Sequence, residues 1–389
     1  MRKTLMTILV SGLVLASCSQ KQGSDNPLLQ TWDTPFETAP FEKIKVEHYL
    51  PAFEAAMAEH DKEIQTIIDN AEAPTFDNTI AALDYSGQTL TKVAGVFYNM
   101  MAANTSEELQ KVNEQIGPMM ATHSDNVSMN AKLFEKIKAV YDAKDSQKYT
   151  GEQLALLEKT YKQFVRSGAL LDAEKQAELR EVNAELTKVE AKFDANLLKE
   201  TKSYQLVIDN QENLKGLPQG EIEKAAALAK QEGKEGKWIF TLDNPSFIPF
   251  VTYADNRDLR KEIFNARVNR CNNGGETDNN ELVAQMAELR AKKAQLLGYE
   301  TFAHYQLEER MAKEPKAVFD LLENLLTYSV KVAKEEAKEF QALLSKDVPG
   351  ATLETWDMYY YAEKVRQQKY NFITYFAVKF PFTLLVFTV

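Results

Sequence analysis

The sequence predicts a mostly α-helical protein, a large helical body with long antiparallel helices and one small β-hairpin or sheet near residues 203–251. Three observations predict it. Helix formers (Ala, Leu, Glu, Lys, Gln) dominate a 389-residue chain that holds only 15 glycines and 12 prolines. Apolar residues recur at spacings of three and four over most of its length. Only two short stretches switch to the alternation of a strand. A hydrophobic content of 44% and a charged content of 26% suit a packed globular body of this length. The net charge of −11, without Lys/Arg clusters, excludes the basic footprint expected of a nucleic-acid binder.

Taken in order, residues 1–17 have a basic start (Arg2, Lys3) and an apolar stretch from Thr4 to Ala16. That stretch is too short to span a bilayer as a helix but suits a secretory signal peptide. "LASC", Leu15 to Cys18, resembles a bacterial lipobox, which makes Cys18 the lipidated first residue of an exported, membrane-anchored chain. Residues 18–31 then read as a polar, flexible tether. With Cys18 acylated, Cys271 has no partner for an internal disulfide and reads as an ordinary side chain near a loop.

The helical region spans residues 32–372. Phe53, Met57, Ile64, Ile67 and Ile68 share one face of a helix that begins near Val46. Asp77 or Asn78 starts the next helix, and Thr105/Glu108 and Thr150/Gln153 have the spacing of capping boxes. The best single helix runs from Asp172 to about Lys199. Its apolar positions Leu179, Val182, Leu186, Val189, Phe193 and Leu197 step by 3, 4, 3, 4 and 4, which predicts an antiparallel hairpin with a neighbouring helix, a coiled-coil dimer being the alternative. "SYQLVID" (Ser203 to Asp209) and the start of "WIFTLDNPSFIPFV" (Trp238 to Val251) are the strand-like stretches, flanking the short helix "EIEKAAALAKQEG". A loop, "NNGGETDNN", follows at Asn272 to Asn280. "AELRAKKAQLLGY" is an amphipathic helix with Leu289, Ala294 and Leu297 inward and Gly298 as its C-cap. Near the end, "WDMYYYAEKVR" puts Trp356, Tyr360 and Val365 on one face and leaves Tyr359, Tyr361 and Arg366 for polar contacts.

Four stretches in order resemble the thimet-oligopeptidase family of zinc peptidases, within it the peptidyl-dipeptidase branch. They are "NPLLQTWDTPFETAPFEKIKVEHYLPAF", "FIPFVTYADNRDLRKEIFNARVNR", "ELRAKKAQLLGYETFAHYQLEERMAKEP" and "ETWDMYYYAEKVRQQKYNF". The resemblance implies a helical body split by a deep channel with a zinc site on its floor. It also implies oligopeptide substrates and removal of C-terminal dipeptides.

The zinc chemistry of that family needs H-E-x-x-H on a helix, two His ligands on one face with a Glu as general base. It is absent here. The four histidines are His48, His60, His123 and His304, none with another four residues away. Glu300 with His304 reads as a surface or capping pair, and His48 and His60 as packing or surface residues. No catalytic, cofactor-binding or metal-ligating residue is therefore named; the only modified residue expected is Cys18. Residues 373–389, "ITYFAVKFPFTLLVFTV", carry one charge, Lys379, and read as an aberrant hydrophobic tail on a truncated peptidase sequence. The expected consequences are no hydrolysis and no zinc bound by this chain alone, and self-association through uncovered apolar surface. The rival reading is a non-catalytic helical peptide-binding lipoprotein.

Overall fold

Helix α1 (Tyr49–Asp69) is the spine of the first part of the chain, because one apolar face serves two cores in succession. The computed structural model describes residues 25–370, and the chain divides between Leu170 and Leu171 into two units. In the first, a π-helical turn, Phe76–Ala81, runs into α2 (Ala82–Asp84), followed by α3 (Gln88–Ala103), α4 (Glu107–Ser128), α5 (Ala131–Asp142) and α6 (Gly151–Arg166). Phe53 and Met57 pack with Val93, Val96 and Phe97 of α3 and with Leu109 and Ile116 of α4. Further along α1, Ile64 and Ile67 meet Leu133, Ile137 and Val140 of α5 and Leu157 and Phe164 of α6. The predicted stripe is thus one face with two partners.

The tether expected over residues 18–31 is folded in its described part. Leu28 is fully buried in the α1–α3 core, and the Asn26 side chain donates to the His48 carbonyl at 2.8 Å. The physical reason is the apolar surface of Leu28, Leu29 and Trp32, which composition alone understates. The signal segment 1–17, Cys18 with the rest of the tether to residue 24, and the tail 373–389 lie outside the described residues.

The predicted caps divide. Thr150 and Gln153 form a reciprocal capping box, with hydrogen bonds of 3.2 and 3.0 Å. The π-helical turn starts earlier than Asp77 or Asn78, because Thr75 caps it and Asn78 answers to the Thr75 N–H at 2.8 Å. At α4 the cap is Ser106, which accepts from Leu109 N–H at 3.2 Å, while the Thr105 hydroxyl turns to Met101 Sδ. Only Thr105 has an acidic residue three positions on, but the extended backbone of Ser106 makes it the cap, without a reciprocal bond from Leu109.

In the second unit α7 (Ala173–Ser203) is capped by Asp172 as expected. It is followed by β1 (Leu206–Ile208), α8 (Gln219–Gln231), β2 (Trp238–Phe240), α9 (Asn244–Tyr253), α10 (Arg257–Val268) and α11 (Asn280–Leu296). β1 and β2 pair antiparallel, Leu206 opposite Phe240 and Ile208 opposite Trp238, with α8 between them in sequence, as predicted. α7 packs antiparallel on α11, a helix distant in sequence: Asn196 bonds Asn279, Arg290 bonds Glu190 and Lys293 bonds Asn183. The buried stripe is Leu179, Val182, Leu186 and Val189; beyond it burial passes to Asn196, so Phe193 and Leu197 are only half covered. α12 (Phe302–Leu307), α13 (Pro315–Asp347) and α14 (Met358–Tyr370) complete the described chain. Gly298 ends α11 with φ 82°, and Tyr299 N–H reaches back to the Ala294 carbonyl, the left-handed cap expected of it.

Candidate functional site

Two of the four characteristic stretches meet in the second unit, around one buried carboxylate. Asp357, in the 3₁₀ turn before α14, is fully buried and receives Arg257 Nε at 3.0 Å and Arg257 Nη2 at 2.7 Å. Arg260 Nη2 adds a bond of 3.2 Å, and Glu354 N–H another of 3.1 Å. Burial alone would raise the Asp357 pKa. The bonds from Arg257, Glu354 and Arg260 outweigh it and hold the carboxyl below its ordinary value. Arg260, itself buried, donates to the Ala254 carbonyl at 2.8 Å and lies 3.9 Å from the centre of the Tyr360 ring. Tyr360 in turn donates to Asp255 at 2.8 Å; burial first, and Asp255 second, push its phenol well up. The chain α9–α10 and the chain at α14 are therefore locked through paired charges, not through apolar packing alone.

The expected faces of α14 hold in part. Tyr360 is buried and Tyr359 is exposed, as spacing predicts. Tyr361, expected to be free for polar contact, is buried against Phe340 and Leu344 of α13, its hydroxyl turned to Asp347 at 3.3 Å. Burial raises its phenol to about 12. Tyr361 is inward because α13 approaches from a second side, which periodicity along one helix does not reveal. Arg366 is paired with Glu363 at 2.7 Å.

Beside this junction a groove of about 450 Å³ runs between α13 and α14, floored by Phe340, Ala362 and Val365 and rimmed by Glu336, Arg366 and Lys369. A second groove, about 650 Å³, lies between α7 and α11, with Phe193, Val283 and Met286 below and Asp194 and Arg290 above. Burial, with Glu190 nearby, raises the Asp194 carboxyl. Both grooves combine apolar lining with charges of both signs, several of them paired within the chain: Arg366 with Glu363, Lys369 with Glu339 and Arg290 with Glu190.

The Asn272 to Asn280 loop is organised by two carboxylates. Glu200 accepts from Cys271 N–H, Asn273 Nδ2 and Thr277 Oγ1, and Asp278 from the N–H groups of Asn273, Gly274 and Asn280. Burial acts against the Glu200 charge, yet these bonds lower its pKa. Cys271 is buried, and burial, then Glu200, push its thiol up to about 11, away from the reactive thiolate.

The four histidines are placed as follows. His48 Nδ1 accepts from Lys45 N–H at 3.0 Å. His304 stands 3.7 Å from Glu300 and bonds Thr301, which caps α12, so the pair is a surface capping feature. His60 and His123, sixty-three positions apart, are joined ring to ring at 2.9 Å. Sequence spacing carries no signal for that pairing, since the two residues sit on different helices.

The family profile described as peptidase family M3 matches residues 250–387, and that of the neurolysin/thimet oligopeptidase N-terminal domain matches residues 53–176. The chain is 32% identical over 346 residues to dipeptidyl carboxypeptidase of Escherichia coli (strain K12), covering 89% of this chain and 51% of that protein. The chain belongs to peptidase family M3. A dipeptidyl carboxypeptidase of Salmonella typhimurium is 32% identical over 347 residues, covering 89% of this chain and 51% of the relative. Oligopeptidase A of Haemophilus influenzae is 29% identical over 349, covering 89% and 50%. The chain thus spans about half the length of the curated relatives it matches.

The M3 profile takes in the Asp357 junction, the α13–α14 groove and the segment expected to be an aberrant tail, up to residue 387. M3 peptidases are zinc-dependent in general. Among the described residues no group of three or more His, Cys, Asp or Glu could hold a metal ion. The nearest arrangement, His60, His123 and Asp61, turns ring nitrogens towards each other and not towards a common point. These residues do not fit zinc. No helix among the described residues is long and apolar enough to cross a membrane.

Proposed function

We propose that this chain takes part in the release of C-terminal dipeptides from oligopeptides by contacting the peptide, and that it does not hydrolyse peptide bonds by itself. The observation that carries the reading is the identity to dipeptidyl carboxypeptidases over 89% of the chain, joined to a sequence without H-E-x-x-H. The grooves along α13–α14 and α7–α11 are the surfaces offered to the peptide. The test is to incubate the purified chain with zinc and an N-terminally blocked oligopeptide, following both products and peptide binding. The expected outcome is measurable binding without dipeptide release, and binding weakened by Arg290→Glu, which inverts the charge at one groove rim. Dipeptide release overturns the non-hydrolytic half of the reading; no binding overturns the other half. A non-catalytic peptide-binding lipoprotein is the second reading, favoured by the same missing motif.

The same proposal places the chain outside the cytoplasm, anchored through lipid on Cys18, on the strength of the apolar segment that ends in Leu15-Ala16-Ser17-Cys18. Cys18→Ala then moves the protein from the membrane fraction to the soluble one; unchanged fractionation counts against it. Self-association belongs to the proposal as well, supported by the exposed apolar face of α13.

A further inference from the structure

Four side chains from three elements of the first unit meet around His60. On α1, His60 Nδ1 lies 2.9 Å from Nε2 of His123 on α4, and His60 Nε2 lies 3.1 Å from Ser86 Oγ in the turn between α2 and α3. The Ser86 hydroxyl has one proton and gives it to the Leu83 carbonyl at 2.7 Å. His60 Nε2 must therefore be the donor in its bond to Ser86. A neutral His60 then accepts at Nδ1, which makes His123 Nε2 a donor. The remaining nitrogen, His123 Nδ1, faces the Asp61 carboxylate at 3.3 Å, an attractive contact only if that nitrogen is protonated too. Every contact is satisfied when His60 is neutral, His123 is doubly protonated and the pair holds one positive charge.

We propose that Asp61, His123, His60 and Ser86 form a proton-counting latch, which fastens α1, α4 and the α2–α3 turn when the pair holds one charge and opens when it takes up a second. A second proton on His60 would set N–H against N–H across 2.9 Å. The charged groups acting on His60 are His123 from α4 and Glu63 and Asp61 from α1 itself. The turn adds the Ser86 hydroxyl and the Gly87 N–H, and the latter is bonded to Glu63 at 2.7 Å. Gly87 leaves the ring its room, since a Cβ there would stand 3.2 Å from it, closer than an ordinary contact. Burial first, and the His123 charge second, hold the His60 pKa below the ordinary 6.5. The sign follows: the folded unit resists a proton that the unfolded chain accepts. The resistance of His60 to a second proton therefore contributes stability that is fully present above 6.5 and is lost as pH falls from there through the lowered folded value.

Ring-nitrogen NMR of the full chain labelled in histidine tests this, the four signals being assigned by single substitutions. The expected result is one ring of the pair as imidazolium while the other is the Nε2–H tautomer. Uptake of the second proton below 6.5 is then accompanied by faster amide exchange around residues 83–87 and 120–124. His123→Gln keeps a donor without the charge, so the His60 step should move up towards its ordinary value. If that variant does not fold, Asp61→Asn, on an exposed side chain, serves: the Asp61 charge raises the His60 pKa, so its removal should move the His60 step further down. Two rings titrating as ordinary, independent histidines, or steps unmoved by these substitutions, overturn the latch.

Discussion

Asp357 shows how one residue can hold two distant stretches of sequence together. Its carboxylate is fully buried and meets two guanidinium groups, so removing its charge leaves buried cations without a partner. Breaking such a pair costs about 3–5 kcal/mol. Asp357→Asn is expected to lower the unfolding free energy of the full chain, read from urea titration, by an amount in that range, with the unfolding slope unchanged. Because the folded pKa lies below the ordinary 3.8, this contribution is present above that value and is lost as pH falls below it. Acid titration of the native chain, followed by circular dichroism, should therefore show a step that Asp357→Asn lacks. Gly216 makes a different point. With φ 86°, a Cβ there would lie 2.1 Å from the Tyr253 carbonyl oxygen, which is backbone and cannot step aside cheaply. Gly216→Ala should destabilise the chain by more than about 2 kcal/mol, whereas Gly233→Ala, with open space and a similar φ, should show only the smaller backbone cost of about 1 kcal/mol. Equal effects in thermal melts would refute the steric account. Neither role was legible in the sequence, where Asp357 reads as one polar residue in an aromatic stretch.

At the scale of elements, α13 is the outlier. It starts with Pro315 and runs for 33 residues, yet Phe319, Leu321, Leu322, Leu325, Leu326 and Tyr328 are each more than half exposed. Lys316, Asp320, Glu323, Lys331 and Lys334 occupy the opposite arc at 100° per residue, so the helix has the amphipathic pattern of one that is covered. Further along the same helix, Phe340 and Leu344 are buried against Tyr360 and Tyr361. Apolar area stabilises association at about 25 cal/mol per Å², so a patch of several hundred Å² drives it strongly. Leu322→Glu with Leu326→Glu should shift the full chain towards monomer in sedimentation while leaving its melting temperature within about 2 °C. A native chain that is already monomeric at high concentration would show that this face does not mediate self-association.

At the scale of the whole molecule, the pairing of His60 with His123 and the capping contact of His304 predict folding that does not depend on metal. Dialysis against a strong chelator is expected to leave both the melting curve and the residual metal content of the full chain unchanged. A drop in melting temperature, restored by zinc, would reveal a bound ion that contributes to folding.

The sequence by itself determined the helical class, the extent of α7, the strand pair around α8, the Thr150 capping box and the Gly298 cap. These depend on residues within one turn or one strand of each other, where backbone hydrogen bonding and side-chain period act directly. The family, too, was legible, because four ordered stretches carry it. What only the tertiary structure decided lies at longer range. The partner of α7 is α11 and not an adjacent helix, the segment around Leu28 is core and not tether, and Tyr361 faces inward. The same holds for the candidate grooves and for the meetings of Asp357 with Arg257 and of His60 with His123. Each of these depends on which helix arrives from the side, and that choice is made by the burial of whole apolar faces and pairing of buried charges. A one-dimensional pattern records that a face is apolar or a residue charged; only packing specifies what meets it.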